Sequence, residues 1–335
     1  MSFSADGRCS RRQLIKSAAA AGAGSLLSGP AAVMSALRIP LYAQAADAAP
    51  TAKSLVVEVV NPKWQTEKKK PDPAVMREMI ARALCLFTGK TSVSDALRCY
   101  VSPEDKIGLK FNSLSFDFMR TNAPIAAIMM EFLQDIGAQR GNIASVEGRD
   151  VDVKGCMAPD LTFGPEIEVH DKKTRLTNFI TKQTDCIINL PDLKDHGGAG
   201  VTCALKNLSH SMSVVAQPSN MHDNNCNPYI PVVNSMEPVK TKRRISICTA
   251  FKGVFEGGPM PSKPQNQWLR NSVIVATDPV AMDRVALELV QAARKERNKT
   301  DLFMTGRKPL YIAKAAEMGL GTNDMEKIDW RIVEM

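Results

Sequence analysis

Short runs rich in Val, Ile and Leu alternate along this chain with longer stretches whose apolar residues recur every three to four positions, and that alternation restricts the fold more than any other feature. The spacing predicts strands at 54–60, 106–111, 143–146, 186–190, 245–254 and 272–276, with a further short one at 167–170. It predicts helices at 71–87, 124–136, 201–212, 279–295 and 309–318. Strands that feed helices that feed strands bury both kinds of apolar face best as a sheet covered by helices. The expectation is therefore an α/β fold with a mostly parallel or mixed sheet. Residues 46–335 would form one large domain with room for two sub-lobes.

The first 45 residues read differently. Ser10-Arg11-Arg12-Gln13-Leu14-Ile15-Lys16 precedes an Ala-rich, mildly apolar stretch, and Ala43-Gln44-Ala45 offers the small-x-small pattern of a signal-peptidase site. These parts predict a twin-arginine export signal over 1–45, the translocation machinery as a partner, and a periplasmic or otherwise exported location. Gly22, Gly24, Gly29 and Pro30 make this segment a poor spanning helix, and no later stretch is long and apolar enough to be a stable transmembrane span. The leader's five basic residues against one acidic leave the rest about +4 of the total +8. That mild charge, with no basic run interleaved with aromatics, argues against nucleic-acid binding. Seven of the eight cysteines follow residue 45, and no pair is spaced Cys-x-x-Cys, so a local iron–sulfur motif is absent.

In a helix-covered parallel sheet, ligands bind beyond the carboxyl ends of the strands. Lys110 and Asn112 stand at one such end. Glu147 and Arg149 stand at another and read as a surface pair. The richest end is the block from Leu190 to Leu208, where a buried strand gives way to a glycine-rich loop and then to a helix expected to begin near Val201. Unpaired N–H groups at that helix start, near Gly200 and Val201, would suit an anion, with Lys194, Lys206 and Asn207 adding donors. His196 is the candidate acid/base. It is also a candidate metal ligand with His222, joined by Asp223 or Cys226, so a divalent transition metal is the cofactor to test. His210 lies in the same region. Glu256, in the turn before Gly257-Gly258-Pro259, and Asp283, in an apolar helical stretch, are candidate catalytic carboxylates. Asp278-Pro279 reads as a helix cap.

The order of these motifs resembles a bacterial and archaeal family known as domain of unknown function 362. The matching pieces are Gly108-Leu109-Lys110-Phe111-Asn112, Asn189 to His196 and Gly200 to Leu208, followed by His222, Gly257-Gly258-Pro259 and Asp278 to Asp283. The resemblance spans about 54–295. Some members carry ferredoxin-like iron–sulfur modules, and this chain departs from them in lacking such a cysteine cluster. The combined expectation is an exported enzyme acting on a small carboxylate or phosphate ligand. The rival expectation is a non-catalytic ligand-binding protein or an accessory to a redox enzyme.

Overall fold

The computed structural model describes residues 53–114, 119–148, 150–169, 172–209, 213–215, 218–260 and 263–335. The predicted export signal, Arg149 and His210 lie outside them.

Strand β1 (Ser54–Val60) shows how the core is divided. Side chains alternate across a strand, so Val57 and Val59 enter one apolar cluster and Val56 another. Glu58 shares the Val56 side and is fully buried. Arg270 holds both its oxygens, at 2.7 and 2.9 Å, and Trp330 Nε1 donates at 3.2 Å. Helix α1 (Pro73–Thr88) buries Met76, Met79, Ile80, Ala83 and Leu84, one face of a 3.6-residue repeat. The Asp72 carboxylate caps its first turn, and Gly89 ends it in the left-handed conformation. Helices α2 (Val93–Arg98) and α3 (Asn122–Asp135) pack beside it over the first cluster.

The remaining strands are β2 (Ile107–Lys110), β3 (Ile143–Val146), β4 (Phe163–Val169), β5 (Lys172–Thr177), β6 (Cys186–Asn189), β7 (Asp192–His196), β8 (Gly200–Thr202), β9 (Ser213–Val215), β10 (Arg243–Val254), β11 (Gln267–Ala276) and β12 (Ile328–Glu334). The main sheet runs β12-β1-β11-β10-β6-β2-β3, with β7 pairing β10 and β8 pairing β7. It is mixed. The pairs β1/β12, β2/β3, β2/β6, β6/β10 and β7/β10 are parallel, whereas β1/β11, β10/β11 and β7/β8 are antiparallel. A second sheet has the order β4-β5-β9. Helices α4 (Ala204–Ser209), α7 (Pro279–Lys295) and α8 (Leu310–Glu317) contribute to the second cluster. Helices α5 (Tyr229–Ser235) and α6 (Glu237–Lys242) contribute to a third, near the small sheet. Among the described residues no helix is long and apolar enough to cross a membrane.

The expected helix at 201–212 is corrected. Residues 192–196 and 200–202 form a hairpin, and helix begins only at Ala204. The sequence Asp-Leu-Lys-Asp-His is too polar to read as a strand. It becomes one because its charges are buried against partners, not exposed to water.

Candidate functional site

Strands β2, β3 and β6 are parallel and in register, with Lys110 opposite Val146 on one side and Asn189 on the other. Lys110, Asn189 and Glu147, the residue after Val146, therefore come level at the carboxyl edge of the sheet. The ammonium of Lys110, fully buried, donates to Phe111 O at 2.6 Å, Glu147 Oε2 at 2.9 Å and Asn207 Oδ1 at 3.2 Å. Asn207, on α4, returns its amide to Lys110 O at 3.2 Å and Asn189 Oδ1 at 2.8 Å. Asn112 donates to Asn207 Oδ1 at 3.3 Å and accepts from Lys194 Nζ at 2.7 Å. One hydrogen-bonded network thus joins Lys110, Asn112, Asn189, Lys194 and Asn207, residues brought from two strand ends, a hairpin and a helix.

Burial pushes the Lys194 ammonium down to about 8. Asp192 opposes that shift, Lys206 adds to it, and Glu147 and Lys110 act more weakly in opposite directions. Asp192 lies 3.8 Å from Lys194. Lys206, only 3% exposed, is also driven down by burial; Cys226 and Glu147 oppose this and Lys110 reinforces it. Its ammonium makes no hydrogen bond or ion pair with any described residue. The Glu147–Arg149 surface pair expected from the sequence gives way to a bond between Glu147 and a buried lysine.

Alternation along β7 puts Asp192, Lys194 and His196 on one face and Leu193 and Asp195 on the other. Gly200 and Val201 do not stand at an open helix end, as the sequence suggested. They pair with His196 and Asp195 in the hairpin ladder. Gly200 has φ +79°, and a Cβ there would lie 2.5 Å from Arg307 O, so both backbone and space call for glycine. His196 Nδ1 accepts from Gly198 N at 2.9 Å and Ala199 N at 3.1 Å, which assigns the ring proton of the neutral imidazole to Nε2. His222 stacks on His196, with ring centroids 5.2 Å apart.

That tautomer bears on the metal reading. One nitrogen of His196 is occupied as an acceptor and the other carries a proton, so neither offers a lone pair. No group of three or more His, Cys, Asp or Glu suited to a metal ion occurs among the described residues.

The two candidate carboxylates are engaged elsewhere. Glu256 Oε1 accepts from Arg307 Nη2 at 2.6 Å and Oε2 from Arg294 Nη1 at 2.5 Å. Burial raises its pKa, but the two guanidinium groups outweigh burial and hold it below the usual range. Arg307 Nη1 also reaches both oxygens of the buried Asp195, at 2.7 and 2.6 Å, and Gly258 N donates to the same carboxylate at 2.9 Å. Asp283 lies beneath α4. Its Oδ1 accepts from Leu205 N at 3.3 Å and its Oδ2 from Tyr311 Oη at 2.9 Å. Burial pushes Asp283 up to about 7 despite these bonds. Asp283 thus anchors the helix that carries Lys206 and Asn207. Arg294 and Arg307 were not among the residues singled out from the sequence, and they lie far along the chain from the carboxylates they hold.

Residues 129–288 match the profile of a family described as Domain of unknown function (DUF362). The matched stretch includes Glu147, Lys194, His196, Lys206, Asn207, Glu256 and Asp283, and begins after Lys110 and Asn112. No curated protein matches the chain.

Proposed function

We propose that the DUF362-matching stretch, together with Lys110 and Asn112, binds a small anionic ligand, a carboxylate or phosphate, in an exported protein. The observation that carries this reading is the electrostatic balance of one buried cluster. The ammonium groups of Lys110, Lys194 and Lys206 lie within electrostatic reach of one another, and the carboxylates acting on them are Glu147 and Asp192. Among the described residues, these three buried cations stand against the two carboxylates named, an excess of positive charge that is costly in a desolvated setting and that a bound anion would offset. His196, on the Lys194 face of β7, offers Nε2–H as a further donor. The locked state of Glu256 and Asp283 favours binding over proton transfer by either carboxylate.

The test is thermal unfolding of the full chain with inorganic phosphate, and separately with acetate. A specific site stabilises the folded state by about 2.7 kcal/mol when the ligand is at a hundred times its Kd. Lys194→Met is expected to weaken binding about 10–100-fold by removing a charged donor. Equal response of wild type and variant to both anions would sink the reading.

The exported location rests on the twin arginines and the Ala43-Gln44-Ala45 site. Replacing Arg11 and Arg12 together by lysine is expected to leave the protein in the cytoplasmic fraction. Unchanged export of that variant would remove the assignment.

A further inference from the structure

The two outer strands of the main sheet end it differently. β3 has four residues, all buried, and Met157 N donates to Ile143 O at 2.9 Å, so later chain covers part of that edge. β12 has seven residues, no proline and no bulge, and its strand partner among the described residues is β1. Natural edges are usually blunted by brevity, proline, lysine or a bulge. This one is not, and Ile332 on it is 50% exposed.

Backbone direction limits how such an edge can pair. Successive residues of a strand turn their N–H and C=O groups to opposite sides. Met335 N donates to Val60 O at 2.9 Å, and the β1/β12 register is unbroken from Ser54–Ile328 to Val60–Glu334. The odd-numbered residues therefore face β1, and Ile328, Trp330, Ile332 and Glu334 aim their backbone groups outward. Side chains divide the same way. Asp329 and Arg331 share one face, where Arg331 Nε donates to Asp329 Oδ2 at 2.9 Å. Ile328, Trp330 and Ile332 share the other, with Ile328 buried and Trp330 packed against the second core cluster.

We infer that β12 pairs antiparallel with β12 of a second copy of this chain, about a two-fold axis at Trp330. Outward-facing residues must meet outward-facing residues in such a ladder, which leaves few registers. Setting Trp330 opposite Trp330 of the second copy places each Asp329 opposite the other copy's Arg331. These fall at the non-hydrogen-bonded positions, where side chains approach most closely. The same register sets the exposed Ile332 beside the well-packed Ile328. The next allowed register in one direction opposes Arg331 to Arg331, and the next in the other opposes Asp329 to Asp329. The charge pattern thus selects one register. The contact is isologous and consumes the edge, so it closes at a dimer. Strand pairing by itself buries less than a standard interface, and association in the micromolar range is expected.

The experiment is sedimentation equilibrium of the full chain at about 1–100 µM. The wild type is expected to pass from monomer to dimer across that range. Asp329→Lys and Arg331→Glu each set like charges opposite one another in their own homodimers, and each is expected to weaken association about tenfold. Mixed in equal amounts, the two variants are expected to recover the wild-type dimer. The introduced lysine then meets the introduced glutamate, and Asp329 of one variant keeps Arg331 of the other. The side chains of Asp329 and Arg331 are 36% and 59% exposed, so the core is undisturbed by either change, and recovery in the mixture shows both variants folded. A wild type that stays monomeric overturns the proposal. A dimer that neither variant weakens places the contact elsewhere and overturns it too. Variants that stay monomeric when mixed overturn the register, and species that grow beyond the dimer overturn the closed contact.

Discussion

Two buried groups near the cluster carry opposite signatures of pH. Asp283 titrates near 7 in the folded protein and at about 4 when unfolded. Between those values the folded state binds the extra proton, so this group's contribution to stability falls as pH rises from about 4 to 7. Burial pushes Lys194 down to about 8 in the folded protein, against 10.5 for an unperturbed lysine. There the unfolded state binds more protons, so its contribution rises with pH between those values. Asp283→Asn keeps an acceptor for Leu205 and the Tyr311 contact but cannot ionise. Denaturant unfolding of wild type and variant at pH 4.5 and 7.5 (values spanning about one titration) is expected to show the wild type losing ground to the variant at the higher pH. A constant difference between the two proteins would contradict this account. Lys110, Asn112, Lys194 and Asn207 were legible in the sequence as polar residues close to apolar runs, where a polar side chain needs a reason, whereas Asn189, inside its own strand, was not singled out. The fates of Glu256 and Asp283 were not legible. A sequence displays a carboxylate in an apolar stretch but not the guanidinium or helix end that holds it, and Arg307 is remote in sequence from both Asp195 and Glu256.

At the scale of elements, periodicity located most of the sheet. Strands at 54–60 and 143–146 and the helix at 279–295 have the bounds their patterns indicate. The failures have physical causes. The β7–β8 hairpin was hidden because its polar residues are internal, so the usual link between charge and solvent was inverted. Helix α2 is six residues long, too short to establish a repeat, although Ser92 caps it as sequence rules would have it. The hairpin is held in place by a close approach. A Cβ on Gly258 would lie 1.8 Å from the carbonyl oxygen of Asp195. Gly258→Ala must therefore push the turn after β10 away from β7 and break the Gly258–Asp195 bond. An overpacking cost of about 1–3 kcal/mol is expected, with a matching fall in phosphate affinity, since Lys194 lies on the same strand. Wild-type stability and phosphate binding in this variant would show that the contact is yielding.

For the whole molecule, the alternation of patterns announced a helix-covered sheet, and the sheet is there. Its strand order was not legible, because local periodicity carries no record of which distant runs become neighbours. The order matters most for the first strand. β1 lies between β11 and β12, with Val57 opposite Val275 and Ser54 opposite Ile328. A chain synthesised from its amino end therefore makes β1 long before either neighbour exists. Until the region from 267 to 334 has emerged, that strand has no edge to join, and Glu58 has neither Arg270 nor Trp330 to neutralise and cover it. Such distant pairings slow folding and prolong the exposure of open strands. Completion of the sheet is thus a late event in the life of each molecule, and its first strand must be kept from other partners throughout synthesis.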